Sequence, residues 1–325
     1  MLMGCRMHSG SAPQVFGFML SEQFSMIAFT AALEPLRLAN RAAGRKLYEW
    51  HLYSADGVSA EASNGVRVNV ERSFRDAPNM DAVVVCAGVD VQFVDHRDLI
   101  SVVRRLVRSG AAPGAVCTGT HVLARAGLLD GYRCTIHWEN RPGIRADFPD
   151  LNIGEELFEI DRDRFTCAGG VAAADMMLSL IKRDHGEAVS SAVTDQLIHH
   201  RIREASERQR MDMRTRLGVA HPKLLSVISL MERSIEQPLT IEQCARSVAL
   251  SPRQLERLFV KHLGSSPNRH YVKIRLNHAC QLLRQTRMPI LDVAVAAGFS
   301  SASYFSQSYL DHFGHSPTSE RRASV

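Results

Sequence analysis

In the stretch GAVCTGTHVLARAGLLDG, residues 114–131, a cysteine stands where an apolar run gives way to a tight turn and then to helical spacing. Cys117, held at a strand-to-helix turn, has the position of a nucleophile. The same turn offers a second chemistry. Backbone N–H groups of Thr118 and Gly119 at a helix N-terminus favour an anion such as a carboxylate, with no bond being made. Trp138, which follows His137 in TIHWEN, offers a ring face to a quaternary or guanidinium cation. An anion slot and a ring face together suit a small zwitterion: a betaine, carnitine, a methylated glycine or arginine. The plainer alternatives are a tolerated small residue, a structural histidine and a core tryptophan.

A second set of recognition residues lies in an internal repeat. LTIEQCARSVALSPRQLERLFVKHLGSSP (239–267) and MPILDVAVAAGFSSASYFSQSYLDHFGHSP (288–317) match at an offset of 50 for Ser251/Ser301, Leu255/Phe305, Phe259/Tyr309, Gly264/Gly314 and Pro267/Pro317. Ala245 and Ala294 match at 49, which makes the second turn one residue longer. Each copy reads as two helices around a tight turn, over about 240–262 and 289–313. Ser251 and Ser301 are the N-caps, Pro252 takes the first helical position, and Gly298 supplies the second turn.

In a helix-turn-helix the second helix enters the major groove. Leu255, Leu258 and Phe259 are read as the buried stripe of the first copy, leaving Ser251, Arg253, Gln254, Arg257 and Lys261 for DNA. Arg and Gln suit guanine and adenine edges, and Lys suits phosphates. In the second copy Tyr304, Phe305 and Tyr309 are read as packed, with Ser301, Ala302, Ser303, Ser306 and Gln307 facing the groove. Residues 266–286 read as one connecting helix. At ~1.5 Å per residue its ~30 Å approaches the ~34 Å of one DNA turn. Residues 221–325 hold 13 Lys+Arg against 7 Asp+Glu, while the first 220 hold 26 against 27. The positive charge sits where an acidic polymer would bind.

The elements that must position Cys117 come earlier. From about residue 14, strand-like runs (VFGFML, WHLYSA, DAVVVCAG) alternate with helical ones (24–42 and 96–110), which predicts a mostly parallel sheet covered on both faces. LFEIDRDRFTCAGG reads as a hairpin and VAAADMMLSLIKRDHG as a helix on the sheet. HHRIREASERQRMDMRTRLG (199–218) is highly charged with few large apolar residues and reads as the connection. The organisation expected is a flexible N-terminus (1–13), an α/β domain (14–199), a linker (200–219) and an all-α domain (220–320). No apolar run approaches the ~18 residues that span a bilayer, and no signal-peptide core follows the first residues, so no membrane partner and a cytoplasmic protein are expected. The seven cysteines (5, 86, 117, 134, 167, 244, 280) show no CxxC or metal-like spacing. Reduced thiols, no metal and no cofactor are expected.

GFSSASYFSQSYLDHFGHSP together with SPNRHYVKIRLNHACQLL resembles the DNA-binding domain of AraC/XylS-type regulators, over about residues 221–320. That family usually carries a basic residue just after the aromatic at 309. Leu310 and Asp311 stand there instead, which implies a missing phosphate contact. Around AVCTGTHVLARAGLLDG and TIHW the first 200 residues resemble the ThiJ/PfpI branch of the class I glutamine-amidotransferase-like fold, a flavodoxin-like sandwich. The whole chain is similar to GlxA-type transcriptional regulators.

In enzymes of the N-terminal fold the resemblance gives Cys117 the nucleophile's place and His137 the histidine's, with a Glu from the loop after the first strand. That loop reads SMIAFTAAL here, and the nearest acids are Glu22 and Glu34, so the thiol loses part of its activation. The resemblance thus implies a non-enzymatic regulator in which Cys117 and His137 are vestigial. It would be a dimeric activator working with RNA polymerase on double-stranded promoter DNA, with an effector held by Cys117, Thr118, Gly119, His137 and Trp138. The alternatives are an amidase or glyoxalase-like Cys hydrolase with a DNA-binding appendage, and a redox sensor using Cys117.

Overall fold

The run AVVVCA at 82–87 has no exposed position, the pattern of a parallel strand covered on both faces. It lies at the middle of a seven-stranded sheet. The computed structural model describes residues 12–88 and 90–323. The expected flexible N-terminus lies outside the described residues except for Ala12 and Pro13.

The sheet comprises β1 (Gln14–Leu20), β2 (Tyr48–Ser54), β5 (Arg72–Ser73), β6 (Ala82–Ala87), β7 (Ala112–Cys117), β10 (Phe158–Asp161) and β11 (Arg164–Cys167). Their order is β10-β11-β7-β6-β1-β2-β5, and only the β10–β11 hairpin is antiparallel. Two small ribbons flank it, β3 (Ser59–Glu61) with β4 (Arg67–Asn69), and β8 (Arg133–Cys134) with β9 (Asn152–Ile153). One face is covered by α1 (Met26–Ala43), α5 (Ala172–His185) and α6 (Glu187–Gln196). The other carries α2 (Arg97–Arg108), α3 (Gly119–Arg125) and α4 (Arg141–Asp147). Leu99, Val102, Val103 and Leu106 show how α2 docks, on one helical stripe. Apolar spacing predicts that α3 runs on towards Gly131. It stops at Arg125 because Gly127, at φ +64°, reverses the chain first.

The chain divides into two units at Gln209/Arg210. Residues 200–209, expected as linker, therefore pack with the first unit. Buried Asp175 of α5 accepts from Arg203 Nε (2.9 Å), Arg203 Nη2 (2.7 Å), the Arg203 backbone N–H (2.8 Å) and His199 Nε2 (3.0 Å). The Leu157 N–H donates to Ala205 O and Glu207 O, each at 3.1 Å. Gln209 Nε2 donates to Thr135 Oγ1 (2.9 Å), Ile136 O (3.0 Å) and Glu156 O (3.0 Å). Of the charges that suggested a solvated tether, Arg203 is spent on Asp175, and Arg201 and Glu207 pair with each other.

The second unit is helical: α7 (Met213–Leu217), α8 (Pro222–Arg233), α9 (Ile241–Ser247), α10 (Pro252–Leu263), α11 (Pro267–Gln285), α12 (Ile290–Ala296), α13 (Ala302–Phe313) and α14 (Pro317–Ala323). It has two small cores. Leu224, Val227, Leu255, Phe259 and Tyr271 belong to the first, and Leu276, Leu283, Val293, Phe305 and Tyr309 to the second. Helix α11 contributes to both, and so joins the two helix-turn-helix units.

Candidate effector site and nucleic-acid interface

The C-terminal ends of β6, β7 and β11 meet at Cys117, at the end of the sheet where open α/β folds bind ligands. Cys117 itself holds a left-handed φ of +57°. Its side chain is received by Gly169, where a Cβ would fall 2.7 Å from Cys117 Cβ and 3.1 Å from Sγ, so only glycine fits. Thr118 is buried, and its hydroxyl donates to Gly88 O at 2.6 Å. Gly119 is also buried in this seven-residue helix. The Thr118 backbone N–H is engaged by the Cys117 thiol.

Burial pushes the Cys117 thiol up to about 11; hydrogen bonds from Thr118 oppose this and the Glu139 charge adds to it. Thiolate, the reactive form, is therefore scarce at neutral pH. Burial also lowers His137, against the pull of Glu139, whose Oε2 lies 3.7 Å from His137 Nδ1. Glu22 is exposed and accepts from the Glu61 N–H at 3.4 Å, and Glu34 is paired with Arg37 at 2.6 Å. The acid that reaches this site is Glu139, and its charge disfavours the thiolate. We expect alkylation of Cys117 by iodoacetamide, followed by peptide mapping, to keep accelerating up to about pH 11. A plateau near pH 7 would show an activated thiol.

Trp138 is half-buried beside His137, their ring centroids 5.7 Å apart and tilted by 38°. Both side chains sit on the segment that Gln209 holds through Thr135 and Ile136. The structure thus brings Cys117, Thr118 and Gly119 together on the elbow, with Glu139 of the His137–Trp138 segment acting on the thiol. Sequence reasoning missed Gly169, Glu139 and the Gln209 attachment. The glycine pair directly after a buried strand in CAGG was the available signal.

A further pair at this end of the sheet was also missed. The buried hydroxyl of Ser21 lies 2.9 Å from His96 Nε2, the spacing of a nucleophile and its base. On the other ring nitrogen sits Arg125 Nη1, at 3.5 Å. The imidazole is also hydrogen-bonded to the Val94 backbone, so Arg125 and Val94 compete to set the tautomer it presents to Ser21. Burial, aided by the Arg125 charge, lowers His96 to about 4. The unfolded chain, with histidine near 6.5, binds this proton first. Stability from His96 is therefore complete above about pH 6.5 and lost as pH falls through 4, by up to about 3 kcal/mol. Both tryptophans, Trp50 and Trp138, lie in the first unit, so urea unfolding followed by tryptophan fluorescence checks this. His96→Gln should flatten the pH dependence.

In the second unit, the turn between α9 and α10 has four residues with Ala249 at φ +52°, and that between α12 and α13 has five with Gly298 at φ +76°. A Cβ on Gly298 would meet Ile235 O at 2.3 Å. Ser251 and Gln254 form a reciprocal capping box, so the Gln254 carbonyl is engaged at 2.8 Å by the Ser251 N–H. Reading adenine with both ends of that amide would compete with the cap. Arg253, Arg257 and Lys261 are exposed, four residues apart along one row of α10.

Two packing expectations change. Leu258 is only half-buried, because Leu255 and Phe259 suffice to fill the small core. Tyr304 is 53% exposed, because Phe305 and Tyr309 take the inward stripe and their neighbour falls on the outer flank. Ser301 caps α13 by accepting from the Tyr304 N–H at 3.3 Å. Ala302, Ser303, Ser306 and Gln307 are exposed, with Gln307 Nε2 donating to Asp311 Oδ1 at 2.8 Å. Helix α11 fixes both units: the Tyr271 hydroxyl donates to Ser234 O at 2.5 Å, and Arg275 donates to Ala297 O (2.9 Å) and Gly298 O (2.7 Å).

Residues 18–183 match the DJ-1/PfpI family, and residues 244–323 match a helix-turn-helix domain. The chain is 44% identical over 310 residues to the HTH-type transcriptional regulator GbdR of Pseudomonas aeruginosa, covering 95% of this chain and 84% of that protein. The chain belongs to this family of HTH-type transcriptional regulators. It is also 38% identical over 312 residues to the HTH-type transcriptional regulator GlxA of Rhizobium meliloti, covering 96% of each. An AraC family transcriptional regulator from Pseudomonas putida, of known crystal structure, is 31% identical with a TM-score of 0.53, over 57% of this chain and all of that one. Among the described residues no helix is long and apolar enough to cross a membrane.

Proposed function

We propose that the α/β unit holds a small effector and the helical unit binds promoter DNA, the first biasing the second. The observation that carries the DNA reading is the row of Arg253, Arg257 and Lys261 on the exposed face of α10, the second helix of its motif. Ser251, Gln254, Ser301, Ala302, Ser303, Ser306 and Gln307 complete the interface, as groove contacts or as caps that set the helix ends. An effector shifts the equilibrium only if it binds one arrangement better than the other. Trp138, His137 and the carboxylate of Glu139 suit a cationic head, and the backbone at Thr118 and Gly119 beside Cys117 suits a carboxylate. That combination selects a betaine-, carnitine-, methylglycine- or arginine-like zwitterion. The chain acts without turnover, in keeping with a thiol whose charged form is disfavoured. We place it in the cytoplasm as a homodimeric activator that works with RNA polymerase.

Gel shifts with DNA upstream of its own and neighbouring genes, with and without that panel of zwitterions, test this. Arg253→Ala or Arg257→Ala should each weaken binding by ~1–3 kcal/mol if the arginine reads guanine. Cys117→Ser should leave DNA binding intact. No preference for any fragment over random competitor at moderate salt would end the regulator reading. Turnover of an amide or α-ketoaldehyde that Cys117→Ser abolishes would replace it with the hydrolase.

A further inference from the structure

The two readers bury the same positions, Leu255/Phe305 and Phe259/Tyr309, and expose the same ones, so their outward faces can be compared residue by residue. At the offset of 50, Arg253 becomes Ser303, Arg257 becomes Gln307 and Lys261 becomes Asp311. Every cation of the exposed row on α10 is lost on α13. Gln254 becomes Tyr304, 53% exposed, and Val260, 53% exposed, becomes Leu310, 43% exposed. His312, in the last turn of α13, is lowered by burial and by the charges of Lys273 and Arg269, and so adds no positive charge there at neutral pH. One face is cationic, and the other is hydroxylic and apolar with a carboxylate at its end.

We propose that the two helices read chemically different half-sites, and that Tyr304 and Leu310 set the specificity of the second by packing on thymine methyl groups. This rests on the DNA-binding reading above. The physical reason is the content of the major groove. Guanine is read there by the bidentate donors of Arg or Lys, which α13 lacks on this face. The thymine 5-methyl is the apolar group that the groove presents. A face that neutralises no phosphate contributes little to non-specific affinity, so what it adds must come from fit. The α10 half-site accordingly contains guanine, and the α13 half-site is rich in A·T pairs with thymines at set positions. Leu310 is exposed, whereas the Tyr304 ring lies 5.9 Å from that of buried Phe299, so unchanged urea unfolding of the double variant, followed by circular dichroism, is the control for the fold of this unit.

The experiment starts from a randomised duplex and selects sequences with the full-length chain. Each protomer is expected to select two blocks, one with guanine and one with thymine. Deoxyuridine then replaces thymine at single positions of the second block, which removes the methyl group and nothing else. Each critical substitution should weaken binding roughly fourfold, the worth of one buried methyl. The double variant Tyr304→Ala/Leu310→Ala should be indifferent to the same substitution and keep its guanine block. Guanine enriched in both blocks, a single block, or a uracil effect that persists in the double variant would overturn the proposal while leaving DNA binding intact. No enriched sequence at all would overturn the DNA-binding reading together with it.

Discussion

Replacing Arg275 by alanine is expected to cost the helical unit about 2–4 kcal/mol and to disable its second reader. The guanidinium gives Nε to Ala297 O and Nη2 to Gly298 O, and lies 4.0 Å from the centroid of the Phe299 ring. Those carbonyls belong to the turn that sets the angle between α12 and α13. Without Arg275 two largely enclosed acceptors lose a charged donor, each worth about 1–3 kcal/mol, and the ring loses its cation. Arg275→Lys should recover only part, since one ammonium cannot reproduce a planar fork across two carbonyls. The measurement is chemical unfolding of the full chain followed by circular dichroism at a helical wavelength. Tryptophan fluorescence serves as the internal control, because both tryptophans lie in the other unit.

The second large effect is expected at Asp175, whose side chain has no exposed surface, while its partner Arg203 keeps 27%. The two halves of this pair should fail unequally. Arg203→Ala leaves a carboxylate buried with His199 and one backbone N–H, and should cost about 3 kcal/mol or more. Asp175→Asn leaves a guanidinium that can reach water, and should cost less. In both, hydrogen exchange across residues 200–209 should rise well before the sheet opens. Equal costs, or exchange unchanged in this segment, would show that the pair does not hold it.

The helix-turn-helix units were legible because their determinants are local. Ser251, Pro252 and Ser301 act within one turn of where they stand, and the offset of 50 repeats the inward stripe. Tyr304 was misjudged because its exposure depends on which aromatics fill a small core, a tertiary fact. The segment 200–209 was misread because its partners are distant in sequence: Asp175 lies 28 residues before Arg203, and Thr135 lies 74 before Gln209. At the elbow, the position of Cys117 was clear from turn and spacing. Its reluctance to ionise was not, since that depends on enclosure and on Glu139. The Ser21–His96 pair, 75 residues apart, left no local trace at all.

The two anchors on α11 have one more consequence, and it falls on the nucleic acid. Tyr271 grips the loop before one motif and Arg275 the turn of the other, so the separation of the two faces is built into a single 19-residue rod. Compliance must then come from the duplex. On the proposed reading of two half-sites, the base pairs between them are expected to influence affinity through their stiffness, since bending a site by tens of degrees costs on the order of 1–6 kcal/mol. Pliable pyrimidine–purine steps there should then favour binding over rigid A-tracts, a preference written in mechanics instead of hydrogen bonds.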